Sequence, residues 1–226
     1  MLTFTILALT FVILGHADAL PSKKHNSTSC DLSHARLKVP ANQTQLIAPT
    51  SAPRFIGIGV GTQNYTCNAT KSTYALIGAV AELFDSSCLY GSPAFESAST
   101  TAYDVWTATT GVTIQEVINT MGRDPTVLGQ HYYVPNPKGS GLSPKWDFTS
   151  SGATAGNPNA YVIGVKIGDL PSSDSNDIDD LMIKAVKGEL ASKVFRVETS
   201  GGQPPTQCAA GDSNITIKYT AQYWFF

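Results

Sequence analysis

Charge is scarce in this chain. Only 14% of its 226 residues are Asp, Glu, Lys or Arg, and the formal net charge is −2. Nucleic acids and anionic membranes demand clustered positive charge, so neither is an expected partner. Cysteine is scarce as well, with Cys30, Cys67, Cys88 and Cys208 the whole supply. No C-x₂-C or comparable close pair occurs among them, which argues against a zinc site. After Gly15 no stretch is apolar for long enough to span a bilayer, so no membrane association is expected of the processed chain. The G-x-S-x-G elbow of serine hydrolases is missing. No internal repeat and no linker divides the sequence.

The features that are present point to export. Leu2 to Gly15 are nearly all apolar, and Ala17-Asp18-Ala19 supplies a small-x-small cleavage pattern, so residues 1–19 read as a secretory signal peptide. No Lys or Arg precedes the apolar run, and the amino terminus alone carries its positive charge. Five N-x-[ST] sequons, at Asn26, Asn42, Asn64, Asn68 and Asn214, agree with a secreted glycoprotein, extracellular or in the cell wall. In an oxidising compartment four cysteines make two disulfides. The pairing expected is Cys67–Cys88, closing a local loop, with Cys30–Cys208 tying an N-terminal arm to the last strands. Residues 20–50, polar and punctuated by Pro21, Pro40 and Pro49, read as that arm, with Leu37-Lys38-Val39 as an edge strand. Lys23-Lys24 is either a processing site or two solvated lysines. Residues 51–226 read as a single β-rich domain.

Within that domain Arg54 to Cys67 opens as a strand with alternate glycines. A period of two sets Ile56, Ile58 and Val60 on one face and Phe55, Gly57, Gly59 and Gly61 on the other. Glycines along one strand face imply a backbone or a large ring close above them. Tyr74–Phe84 fits strand or helix, Ala102–Thr107 alternates like a strand, and Val112–Met121 has helical spacing with Gly122 as a C-cap. Tyr161–Ile167, Leu181–Lys187 and Val194–Thr199 read as strands. Ile215–Phe226 is the strongest strand signal, with Ile215, Ile217, Tyr219, Ala221 and Tyr223 opposite Thr216, Lys218, Thr220 and Gln222. The fold class expected is all-β, a β-sandwich or barrel, with one or two short helices.

The landmarks GTQNYTC at Gly61–Cys67, IGAVAELFD at Ile77–Asp85, LGQHYY at Leu128–Tyr133, VFRVETSGGQPPTQC at Val194–Cys208 and YTAQYWF at Tyr219–Phe225 occur in this order. In that order they resemble the secreted fungal and bacterial family catalogued as domain of unknown function 3455, from roughly Pro49 to the C-terminus. The GG-x-PP-x-C turn followed by Y-T-A-x-Y is the most specific part. The chain departs from the family pattern at Leu181-Met182, where that pattern carries a tryptophan. The resemblance implies no catalytic residue. Some fungal members carry a malate dehydrogenase label, and the residues here do not support it: Gly57-x-Gly59-x-Gly61 has its third glycine one place early for a dinucleotide fingerprint, and a sequon follows where a helix is needed. No cofactor is expected.

Candidate chemistry is thin. His131 and Asp147 are the weak catalytic candidates, and a histidine among tyrosines on a strand is first of all a packing residue. Asp174, Asn176, Asp177, Asp179 and Asp180 cluster oxygen ligands, but Ile178 and Ala185 break the EF-hand pattern. Trp106, Trp146 and Tyr223–Phe226 read as core, with a sugar-stacking surface as the other reading. The function expected is a non-catalytic, monomeric binding domain for a cell-wall glycan or a host extracellular component. A secreted hydrolase on polysaccharide or ester substrates and an effector or elicitor of a plant-associated fungus are the alternatives.

Overall fold

A computed structural model describes residues 30–226. The expected signal peptide (residues 1–19), the Asn26 sequon and Lys23-Lys24 lie outside the described residues.

Eight antiparallel strands close into a barrel in simple sequence order. They are β1 (Phe55–Asn68), β2 (Thr73–Asp85), β3 (Val127–Pro135), β4 (Leu142–Asp147), β5 (Tyr161–Leu170), β6 (Asp180–Lys187), β7 (Lys193–Gly201) and β8 (Ile215–Phe225). Strand β8 returns to β1 along a ladder from Phe55↔Phe225 to Tyr65↔Ile215. The all-β expectation holds, and of its two forms the chain adopts the closed one. Closure leaves no open edge within the barrel, and Leu37-Lys38-Val39 is accordingly not a strand.

Side chains fill the interior, as the width of an eight-stranded barrel dictates. One end is plugged by aromatic rings: Phe148 stands edge-on to Phe55 and Phe225, at centroid distances of 5.7 and 5.0 Å. Deeper inside lie Leu83, Trp146, Tyr219 and Tyr223, all buried. The glycine face of β1 belongs to this interior, and a Cβ on Gly59 would come within 2.5 Å of the Tyr223 ring. The ring that the glycine pattern implied is Tyr223.

A second core lies outside the barrel wall. Ile56, Met182, Phe195, Val197 and Trp224 point outward and are covered by Leu32, Ala35, Leu37 and Leu46 of the arm and by Phe95. Three helices join β2 to β3: α1 (Pro93–Glu96), α2 (Ala98–Ala108) and α3 (Ile114–Met121). Residues 102–107, whose alternation reads as strand, are part of α2. Ser99, Tyr103 and Trp106 stand at i, i+4 and i+7, the spacing of one helix face. Ser99 and Trp106 are buried, while Val105 is 64% exposed. This face docks on the polar side of β8. Thr220 Oγ1 donates to the Ser99 carbonyl at 2.8 Å, Gln222 Nε2 to the Phe95 carbonyl at 3.1 Å, and Lys218 Nζ to the Trp106 carbonyl at 2.7 Å while lying 4.0 Å from the Trp106 ring centroid. The polar residues of β8 thus satisfy helix carbonyls beneath a cover. Helix α3 opens with a reciprocal capping box between Thr113 and Glu116. Gly122 caps it in a right-handed conformation (φ −59°), not the left-handed one that favours glycine.

The disulfides are Cys30–Cys88 and Cys67–Cys208. The expected pairing, Cys67–Cys88 with Cys30–Cys208, is corrected by the β1–β2 ribbon. Cys67 pairs with Tyr74 at the hairpin turn, whereas Asp85, just before Cys88, pairs with Gly57 at the far end. Ten residues of strand separate Gly57 from Cys67, roughly 33 Å. Closeness in sequence misleads wherever a hairpin intervenes.

Glu82 faces outward from β2 on the side of α3, 0% exposed, and neither carboxyl oxygen has a hydrogen bond of good geometry. Burial pushes its carboxyl up to about 7 from 4.5, against a pull from the Gln130 side chain. The folded chain therefore keeps a proton that the unfolded chain has lost, and stability present below pH 4.5 falls away as pH rises to about 7. Glu82→Gln is expected to raise the melting temperature at pH 8 by roughly 5 °C and to leave it unchanged at pH 4. Scanning calorimetry at the two pH values checks this, and an equal shift at both would contradict it.

Candidate functional site

The end of the barrel opposite the aromatic plug is open. A cleft of about 410 Å³ enters it, lined by residues from β1 through β7. Alternation places each of its central side chains. On β1 the inward phase of Gly57, Gly59 and Gly61 continues to Gln63 and Tyr65, and on β7 the phase of Val194 continues to Arg196. Polar groups thus stand where the apolar interior of each strand runs out.

Gln63 is 2% exposed, and its Nε2 has no hydrogen-bond partner among the described residues. Tyr65 donates to the Gly202 carbonyl at 2.7 Å, and burial pushes its phenol up to about 12. Arg196 donates through Nε and Nη2 to the Asp179 carbonyl at 3.1 and 2.7 Å. Behind it the hydroxyls of Tyr219 and Tyr223 stand 3.0 Å apart. At the rim Lys166 pairs with Asp169. Burial, and then the neighbouring Asp169 carboxyl, raise the Asp179 carboxyl above its ordinary value. Leu76 and Leu142, 44% and 52% exposed, give the β2–β4 side of the rim an apolar edge.

The wall of the barrel separates the two residues singled out as catalytic candidates. His131 points inward, stacked on Trp146 at 4.6 Å, and its Nδ1 donates to the Lys145 carbonyl at 2.9 Å. Burial holds the ring down at about 4, so it is neutral at physiological pH. Asp147 points outward, within 2.8 Å of both Lys145 Nζ and the Tyr132 hydroxyl. Burial raises its carboxyl, but hydrogen bonds from Lys145, Thr149 and Tyr132 outweigh that and hold it at about 2. One is a packing residue and the other a surface ion pair, and the geometry brings them into no common site.

Trp106, Trp146 and Trp224 are each at most 4% exposed and form core, not a stacking platform. In the acidic loop Asp174 bonds the Asn176 amide, and Asp177 Oδ1 accepts from the Gly201 N–H at 2.5 Å. Among the described residues no group of three His, Cys, Asp or Glu side chains is placed to hold a metal. The sequons at Asn42 and Asn214 are exposed, and those at Asn64 and Asn68 are half-buried. Gln63, Tyr65, Tyr133 and Arg196 lie in the family landmarks and Lys166 in none, but no motif of known chemistry singles any of them out. A signal existed nonetheless: a glutamine and an arginine in phase with the inward face of otherwise small or apolar strands.

A family model described as a protein of unknown function (DUF3455) matches residues 48–226. No curated protein and no solved structure matches the chain.

Proposed function

The chain belongs to that family, whose description assigns no activity, and from that premise we propose that it is a secreted glycoprotein whose barrel mouth binds a short glycan without catalysing its breakdown. The observation that carries this reading is the Gln63 amide, buried in the cleft wall with a donor that has no partner among the described residues. A buried donor left unsatisfied costs about 1–3 kcal/mol, so its retention is explained by a ligand that accepts from it. The surroundings suit a polyol. Carboxylates at the rim accept from hydroxyl groups, amide and guanidinium donate to them, and the apolar edge takes the C–H face of a sugar ring. Two disulfides, and helices none of which among the described residues is long and apolar enough to cross a membrane, are compatible with secretion.

A glycan array with the purified protein tests the proposal. Binding to a wall oligosaccharide is expected, weakened at least about tenfold in Gln63→Leu and unchanged in Lys187→Ala, on an exposed position of β6. Binding that survives Gln63→Leu intact, or no binding to any glycan, would contradict it.

A further inference from the structure

The mouth contains a cation that, among the described residues, has no carboxylate in ion-pair contact. Arg196 is 9% exposed and lines the cleft. Among the described residues no carboxylate stands within 4.0 Å of its guanidinium. Its hydrogen bonds go to the Asp179 carbonyl, a dipole, and the carboxyls of Asp179 and Asp180 act on it only from beyond ion-pair distance. Lys166, the other cation of the cleft, is already engaged by Asp169. A desolvated cation is costly to bury, and an anion in direct contact offsets more of that cost than a carbonyl dipole or a carboxyl at longer range.

The groups beside Arg196 extend the same preference. Gln63 Nε2 is a second unused donor. Tyr133 lines the cleft close enough to feel the charges of both Arg196 and Lys166, and contributes a hydroxyl. The acidic side of the rim opposes an anion less than its composition suggests. Burial first, then the neighbouring Asp169 carboxyl, outweighs the pull of Arg196 and shifts Asp179 toward its neutral form. A planar carboxylate with two accepting oxygens matches a guanidinium fork better than a neutral hydroxyl does.

Resting on the glycan reading above, we infer that the ligand is an acidic glycan, with a sugar carboxylate seated on Arg196 and on the donors of Gln63 and Tyr133. Ring hydroxyls then face Asp169 and Asp179 at the rim, and the ring's apolar face lies toward Leu76 and Leu142.

Titration calorimetry on the purified protein tests this with three probes: oligogalacturonate, the same oligomer with its carboxylates reduced to alcohols, and citrate. Oligogalacturonate is expected to bind at least about tenfold tighter than the reduced oligomer. In Arg196→Gln that preference is expected to vanish. Should this variant misfold, the comparison of probes on the unaltered protein decides alone. Equal affinity for the charged and reduced oligomers overturns the inference and leaves the glycan reading standing. Citrate binding with neither oligomer bound overturns the inference, since the mouth then takes a carboxylate without a sugar. Silence from all three probes also overturns the inference, and the glycan array then decides the glycan reading by itself.

Discussion

Gly59→Val is expected to destabilise the protein by at least about 3 kcal/mol, a large share of the about 5–15 kcal/mol that holds a domain folded. A Cβ at this position would stand 2.5 Å from Cε2 of Tyr223. The ring has nowhere to go. Tyr223 is fully buried, its centroid lies 5.8 Å from those of both His131 and Trp146, and its hydroxyl is held by Tyr219. The strand backbone is equally fixed, because Gly59 sits mid-ladder, paired with Leu83 on one side and Ala221 on the other. Gly139→Ala is the control, since a Cβ there meets only the Asn136 side chain at 3.6 Å. Near-ultraviolet circular dichroism and thermal melting read the outcome. A Gly59→Val protein that melts with the parent would show that Tyr223 does not lie over β1.

Removing the Cys67–Cys208 disulfide by a double change to serine is the second large effect. The bridge spans 141 residues of sequence, and chain entropy for a loop of that length is about 5 kcal/mol. Typical measured losses are about 2–5 kcal/mol, so a fall in melting temperature of roughly 10 °C is expected. The Cys30–Cys88 bridge spans 58 residues, for which the same relation gives about 4 kcal/mol. Its loss acts on a different region, releasing the arm that covers Trp224 and Phe195 in the outer core. Calorimetry of the two double variants measures both effects. Peptide mapping without reductant checks the connectivity, and a peptide joining Cys67 to Cys88 would contradict it.

These two cases mark where the sequence was legible. Strands such as β1, β5 and β8 announced themselves through alternation, whereas β2 fits helix as well and the span of β4 reads as a loop, and the glycine face of β1 announced a ring. Neither depends on anything beyond the local chain. The disulfide pairing was not legible, because it depends on which ends of a hairpin meet, and spacing along the chain does not encode that. Helix α2 was hidden for a different reason. Over the six residues 102–107 a strand pattern and a helix pattern coincide, and only the wider span of Ser99, Tyr103 and Trp106 separates them. The alternation of β8 likewise marks a polar side but not the helix α2 that covers it. The mouth was the least legible feature. Gln63, Tyr133 and Arg196 come from three strands and meet only once the barrel closes. His131 attracted notice because histidine often carries chemistry, yet its neighbours Trp146 and Tyr223 hold it as a packing group.

The most direct test of the account is an NMR titration of the protein with a wall oligosaccharide bound on the array, following side-chain amide and guanidinium signals. The account predicts that the Gln63 Nε2 and Arg196 resonances shift together with those of Tyr65 and Tyr133, while Trp224 in the outer core stays still. Shifts confined to the outer core around Phe95 and Trp224, with Gln63 and Arg196 unmoved, would contradict it.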